Sequence, residues 1–170
     1  MDFGNPTQGE RVSSQDPYST PTKKWDMRFL RLCEEIASWS KDPSTQVGSV
    51  IVRPDRTIAT MGYNGFPRGF SDNPGLYEDR DKKYKYVVHA EANAIVSARE
   101  PLHNYTLYCS LMPCQDCTKL AIQAGIRRFV AYSPSAQQLS RLSDSFNAAE
   151  QMIMETGCTA TWYPRFNVPD

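Results

Sequence analysis

No stretch of this chain approaches the roughly 20 consecutive apolar residues that a membrane-spanning helix needs. Its opening segment, Met1-Asp2-Phe3-Gly4-Asn5-Pro6, lacks the basic-then-apolar pattern of a secretory signal. A cytoplasmic protein with no membrane partner is therefore expected. Neither sign of charge is in excess: Lys plus Arg and Asp plus Glu both count 19, for a formal net charge of zero. Proteins that hold nucleic acid usually present a strongly basic face, so the balance favours a small-molecule substrate and no nucleic-acid partner. Histidine is scarce, with two in 170 residues. Cysteine is odd in number, at five, in a chain long enough to bury one sizeable core without disulfide staples. In a reducing compartment such cysteines are metal ligands, nucleophiles or small buried residues.

What is present divides into an arm and one domain. Residues 1–22 are rich in Pro, Ser, Thr, Gln and Gly and hold little that could offset the entropy of ordering; they read as a flexible N-terminal arm. Residues 23–170 read as a single domain. Trp25, Phe29, Leu32, Cys33 and Ile36 recur at helical spacing, which predicts a helix over 24–40. The β-rich run 47–52, the turn residues 53–56 and a second run at 57–61 predict a hairpin. Residues 62–86, with four Gly and two Pro, read as a long loop, a feature that is usually functional when it interrupts a compact domain. Helices follow over 90–99, 114–124 and 141–156, the first stopped by Pro101 and the others closed by Gly125 and Gly157. Strands are predicted at 105–109, 126–132 and 158–163. The order α-β-β-α-β-α-β-α-β implies a three-layer α/β/α fold around one sheet.

Two short segments carry chemistry. One is His89-Ala90-Glu91, the other Pro113-Cys114-Gln115-Asp116-Cys117. H-x-E followed by P-C-x-x-C is the signature of the zinc nucleobase deaminases. Cys114 and Cys117 are three residues apart at a helix start, so their sulfurs share one face, and a helix N-terminus favours thiolates. Pro113 sits where its missing donor costs nothing. With His89 as third ligand, a zinc ion keeps its fourth position for water, the arrangement of a catalytic site. Glu91, in the first turn, is placed as the proton shuttle between that water, the ring and the departing amine. A redox pair at Cys114 and Cys117, or a closed site of Cys109, Cys114, Cys117 and Cys158, would explain the cysteines but leave His89 and Glu91 without a duty. Cys33, Cys109 and Cys158 read as buried packing residues, and His103 as a surface residue in a turn.

Beyond these motifs, Val47-Gly48-Ser49-Val50-Ile51-Val52, Gly62-Tyr63-Asn64-Gly65-Phe66-Pro67-Arg68-Gly69, Val88-His89-Ala90-Glu91-Ala92-Asn93-Ala94-Ile95 and Leu107-Tyr108-Cys109-Ser110-Leu111-Met112-Pro113-Cys114 resemble the deoxycytidylate (dCMP) deaminases of the cytidine deaminase superfamily. The likeness runs from about residue 25 to residue 132. It implies the cytidine-deaminase-like fold, with a five-stranded mixed sheet and helices on both faces. It implies hydrolysis of dCMP to dUMP and ammonia, feeding thymidylate synthesis, in a homo-oligomer that is commonly a hexamer. It also implies activation by dCTP with Mg²⁺ and inhibition by dTTP. By the same resemblance Gly62, Asn64, Gly65 and Arg68 contribute to effector or nucleotide binding, and the backbone at Ala90 reads the base edge. Asn64 fits either a hydrogen bond to the sugar or a turn. Thr45 fits either a phosphate contact or a cap, and Tyr132 either the pocket or the core. Arg80, Lys82, Lys83 and Lys85 form a basic run whose plain reading is a solvated face. Some viral members carry a second, structural zinc on an insertion containing Cys and His. Residues 62–88 contain neither type, so one Zn²⁺ per chain is expected.

Overall fold

The computed structural model describes residues 23–165. The arm expected at 1–22 lies outside the described residues. Five strands form one mixed sheet in the order β2-β1-β3-β4-β5. These are β1 (Gly48–Val52), β2 (Ile58–Tyr63), β3 (Thr106–Cys109), β4 (Arg128–Tyr132) and β5 (Thr159–Tyr163). β1 runs antiparallel to both β2 and β3, whereas β3, β4 and β5 are mutually parallel. The mixed sheet implied by the sequence is thus the sheet observed.

Every residue of β1 is buried, and its alternation sorts the core into two halves. Val50 and Val52 pack with Phe29, Leu30, Cys33 and Ile36 of α1 (Lys23–Ala37) and with Tyr108, Val130 and Tyr132. Ile51 points the other way, with Leu107 and Phe129, into a layer closed by Ala94, Ala121, Ile126 and Ile153. The last group belongs to α4 (Ala90–Ser97), α5 (Gln115–Gln123) and α6 (Ala136–Glu155), together with the turn after α5. Strand periodicity of two therefore sets one helix on one face and three on the other. Cys33 and Cys109 are fully buried and Cys158 nearly so, and burial pushes the first two thiols up, as expected of packing residues. His103 is exposed, its ring lying over Gly125.

The segment 62–86 departs from the expected loop. It holds two short helices, α2 (Pro74–Glu78) and α3 (Arg80–Tyr86). Asn73 caps α2 by accepting from the Gly75 N–H at 2.9 Å, with Pro74 in the first turn. Asp79 ends α2 and caps α3, accepting from the Lys82 N–H at 3.1 Å. Phe66 stacks on Tyr77 with centroids 4.2 Å apart, and Phe70 on Tyr86 at 5.1 Å. α6 also begins earlier than expected, at Ala136, because Ser135 and Gln138 form a reciprocal capping box.

Candidate active site

Two helix N-termini meet at the site. His89 is the N-cap of α4 and Cys114 the N-cap of α5, both in extended backbone conformation. Cys117 lies three residues into α5, so both sulfurs face the imidazole. The His89 Nδ1 stands 3.5 Å from Cys114 Sγ and 3.4 Å from Cys117 Sγ. All three donor atoms lie within 4.8 Å of one another. Zinc bonded at about 2.0–2.1 Å to nitrogen and about 2.3 Å to sulfur separates tetrahedral N and S ligands by about 3.6 Å. Both N–S distances therefore fit a zinc ion bonded through Nδ1 and the two sulfurs.

The protonation pattern points the same way. Hydrogen bonding with Cys117 pulls Cys114 below the ordinary thiol range against its burial, and the hydrogen bond with Cys114 pushes His89 up to about 9. Cys117, buried and sharing a proton with Cys114, is pushed up. Groups that hold protons between them in this way are groups from which a divalent cation displaces protons. Glu91 is 4 % exposed, and burial raises its carboxyl above the usual range, partly offset by the charge of His89.

These groups open onto a cavity of about 400 Å³, a size suited to a nucleotide-like small molecule. Thr45, Asn64, His89, Ala90, Glu91 and Cys114 all line it, so the structure brings together six of the residues singled out from sequence. Asn64 is buried, and most of its amide is already engaged. Its Oδ1 accepts from the Val47 N–H at 2.7 Å, and its Nδ2 donates to the Thr45 carbonyl at 2.8 Å. One amide hydrogen is left for the cavity.

The remaining residues singled out from the sequence stand elsewhere in the fold. Tyr132 does not reach the cavity: it shares strand parity with Val130, which faces α1 across the sheet. Gly62, Gly65 and Arg68 lie outside the cavity lining. Gly62 sits under α4, where a Cβ would come within 2.5 Å of the Ala90 carbonyl oxygen and the Ala94 nitrogen. Gly65 exchanges two backbone hydrogen bonds with Val88, the residue before His89. Arg68 donates to Ser97 Oγ at 3.1 Å, at the far end of α4. The basic run is not one solvated face, because Lys83 is buried against Asp42.

Sequence reasoning missed the wall supplied by α6, where Gln138, Arg141, Leu142 and Phe146 line the cavity, and the part played by Tyr84 of α3 beside Arg80. The Ser135-x-x-Gln138 capping box was the available signal for α6.

Comparison with known proteins follows the same lines. The family described as the cytidine and deoxycytidylate deaminase zinc-binding region matches residues 23–133. A curated Aliivibrio fischeri protein, described as an uncharacterized deaminase in the luxG 3' region, is 38% identical over 141 residues, 83% of this chain and 95% of that protein. The deoxycytidylate deaminase of Homo sapiens is 37% identical over 142 residues, 80% of this chain and 78% of its own. The crystal structure of dCMP deaminase from the cyanophage S-TIM5 in complex with dCMP and dUMP covers 84% of this chain and 99% of its own, with a TM-score of 0.64 at 23% identity, a likeness of fold.

Proposed function

Because the chain belongs to the cytidine and deoxycytidylate deaminase family, we propose that it hydrolyses dCMP to dUMP and ammonia with Glu91 as its proton shuttle. The observation that carries this reading is a buried carboxyl, Glu91, on the wall of a cavity that His89 and Cys114 of the His89–Cys114–Cys117 triad also line. A redox pair or a structural zinc module has no use for such a carboxyl.

A zinc ion held by His89, Cys114 and Cys117 supplies electrophilic activation of water, for which three protein ligands leave room. The remaining work falls to this chain's own groups. Glu91 takes a proton from the attacking water and delivers it to N3 of the ring as the C–O bond forms at C4. It then passes the second proton to the exocyclic nitrogen, the C4–N bond breaks, and ammonia leaves. Burial favours the protonated carboxyl that this second transfer requires. The backbone at Ala90, which begins α4 and lines the cavity, reads the base edge. Thr45 and the remaining Asn64 hydrogen serve the sugar and phosphate side. Arg80 and Arg141, on α3 and α6, supply the forked donors suited to a phosphate.

The wider reading includes a homo-oligomer such as a hexamer, dCTP activation with Mg²⁺, dTTP inhibition, and dUMP production for thymidylate synthesis. Support for an effector segment comes from the ties of Gly65 to Val88 and Arg68 to Ser97, which attach 62–69 to both ends of the helix that carries Glu91.

The test is ammonia release from dCMP, deoxycytidine and dCTP by zinc-replete protein, with and without dCTP as effector. Turnover of dCMP in clear preference to the other two is expected. Preference for deoxycytidine would move the assignment to a nucleoside deaminase, and no turnover of any would return it to a non-catalytic zinc module.

A further inference from the structure

Lys83 is a buried cation in the cavity wall that the proposed chemistry does not use. Its side chain is 8% exposed and that of Asp42 1%. The ammonium approaches the two Asp42 oxygens at 2.8 and 3.0 Å and Ser44 Oγ at 2.6 Å. A lysine has three N–H donors and no more, and here all three are matched within the protein. Lys83 is therefore unavailable to a ligand, although it lines the cavity.

Its partner does further work. Asp42 Oδ1 also accepts from the Ser44 N–H and hydroxyl, both at 2.9 Å, and from the Thr45 N–H at 3.1 Å. The stretch from Asp42 to Val47 is thus gripped twice. Asp42 and Lys83 hold its start, and the Asn64 amide holds Thr45 and Val47. At the other end of the ion pair stands α3, seven residues long, preceded by the five-residue α2. Helices this short have no independent stability, so their position depends on tertiary ties such as this one.

We propose that Asp42 and Lys83 are positioning residues: their buried ion pair latches α3 to the Thr45 wall and so sets the width of the substrate cavity. Lys83 acts through Asp42 and Ser44 and does not touch the substrate. Recognition of phosphate is left to Arg80 and Arg141.

The experiment uses the full chain carrying Lys83→Met, Asp42→Asn and both together. Amide hydrogen exchange is read at residues 42–47 and 80–86, alongside turnover of dCMP and deoxycytidine. The latch predicts exchange about tenfold faster or more in both segments of either single variant. It also predicts kcat/KM lowered about tenfold or more for the nucleoside and, because Arg80 rides on α3, at least as much for the nucleotide, through KM rather than kcat. The double variant should be no worse than the worse single one, because one interaction is lost only once. Loss confined to dCMP would identify Lys83 as a phosphate ligand and overturn the proposal. Unchanged exchange at both segments would overturn it as well. If Lys83→Met does not fold, Lys83→Arg serves instead, and it should retain protection in both segments while Asp42→Asn loses it. The kinetic arm rests on the deamination reading and the exchange arm does not. A chain that turns over neither substrate would sink the function while the exchange result still decides the latch.

Discussion

At the scale of the residue, the proposed metal ligand His89 and the proposed proton shuttle Glu91 stand two positions apart at the start of α4. His89 caps α4 with its Nδ1 beside both sulfurs, while Glu91 lines the cavity from the first turn. Glu91→Gln keeps the volume and the hydrogen-bonding shape but cannot carry a proton. It should lower kcat by about 10²–10⁴-fold with metal content unchanged, measured by turnover and by zinc analysis of the same sample. Loss of zinc in that variant would show Glu91 to be part of the metal site instead. Cys117→Ser should behave in the opposite way, losing zinc and turnover together. Chelation of the wild-type protein should do the same, and added Zn²⁺ should restore it. Arg141 adds a specificity test. A charge-assisted hydrogen bond contributes about 1.5–3 kcal/mol, or about 10–100-fold. Arg141→Ala should therefore raise KM for dCMP by about that factor and leave deoxycytidine unaffected. An equal effect on both substrates would remove Arg141 from phosphate recognition.

At the scale of the element, α4 is the part on which everything else is hung, and its seat is a glycine. Gly62 on β2 lets the helix backbone settle directly on the sheet, with the Ala90 carbonyl and the Ala94 nitrogen where a Cβ would otherwise stand. Gly62→Ala forces α4 to lift. The cost of such overpacking is about 1–3 kcal/mol, and the lift displaces Ala90 and Glu91 with it. Chemical denaturation should show that loss, and kcat should fall in the folded fraction. A variant of wild-type stability and activity would contradict the packing. How far such elements could be read from the sequence depended on how local their signals are. His89-x-Glu91 and Pro113-Cys114-x-x-Cys117 are each complete within five residues, so the cluster of His89, Cys114 and Cys117 was legible. The alternation of strands and amphipathic helices carried the order and the single sheet, and the resemblance to the deaminases carried its mixed direction. α2 and α3 were illegible because helices of five and seven residues show no full amphipathic period. They are defined by the caps Asn73 and Asp79 and by aromatic contacts distant in sequence, such as Phe66 with Tyr77. Tyr132 was ambiguous for another reason. Alternation says that it shares a face with Val130, but not that this face belongs to α1.

At the scale of the whole molecule, the two faces of the sheet have different duties. The face under α4, α5 and α6 carries the site. The face under α1 carries a buried polar knot. Asp26 of α1 receives two hydrogen bonds from Arg128 of β4, at 2.7 and 2.9 Å. It also receives the hydroxyls of Tyr108 of β3 and Tyr163 of β5, each at 2.9 Å. One carboxylate thus binds a helix to three adjacent strands. Burial opposes its ionisation, but the hydrogen bonds and charge of Arg128 and the two tyrosine hydroxyls prevail and hold it below the ordinary value of 3.8. A carboxyl depressed by folding stabilises the protein above its unfolded pKa, and that contribution is lost as pH falls through the lower folded value. Asp26→Asn removes the charge and leaves Arg128 buried without its partner, which costs about 3–5 kcal/mol at neutral pH. Below about pH 4 the carboxyl of the unfolded chain takes up its proton, so the advantage of the ionised folded form shrinks as pH falls toward the lower folded value. Urea midpoints at pH 7, 5 and 3 should therefore show a wide gap at the first two and a narrower one at the third. A gap that stayed constant across the series would mean that Asp26 is not held ionised by this knot. Because the knot lies across the sheet from the cavity, the folded fraction of Asp26→Asn at pH 7 should also keep its affinity for zinc. Loss of that affinity would show that the two faces are coupled through β3 and β4.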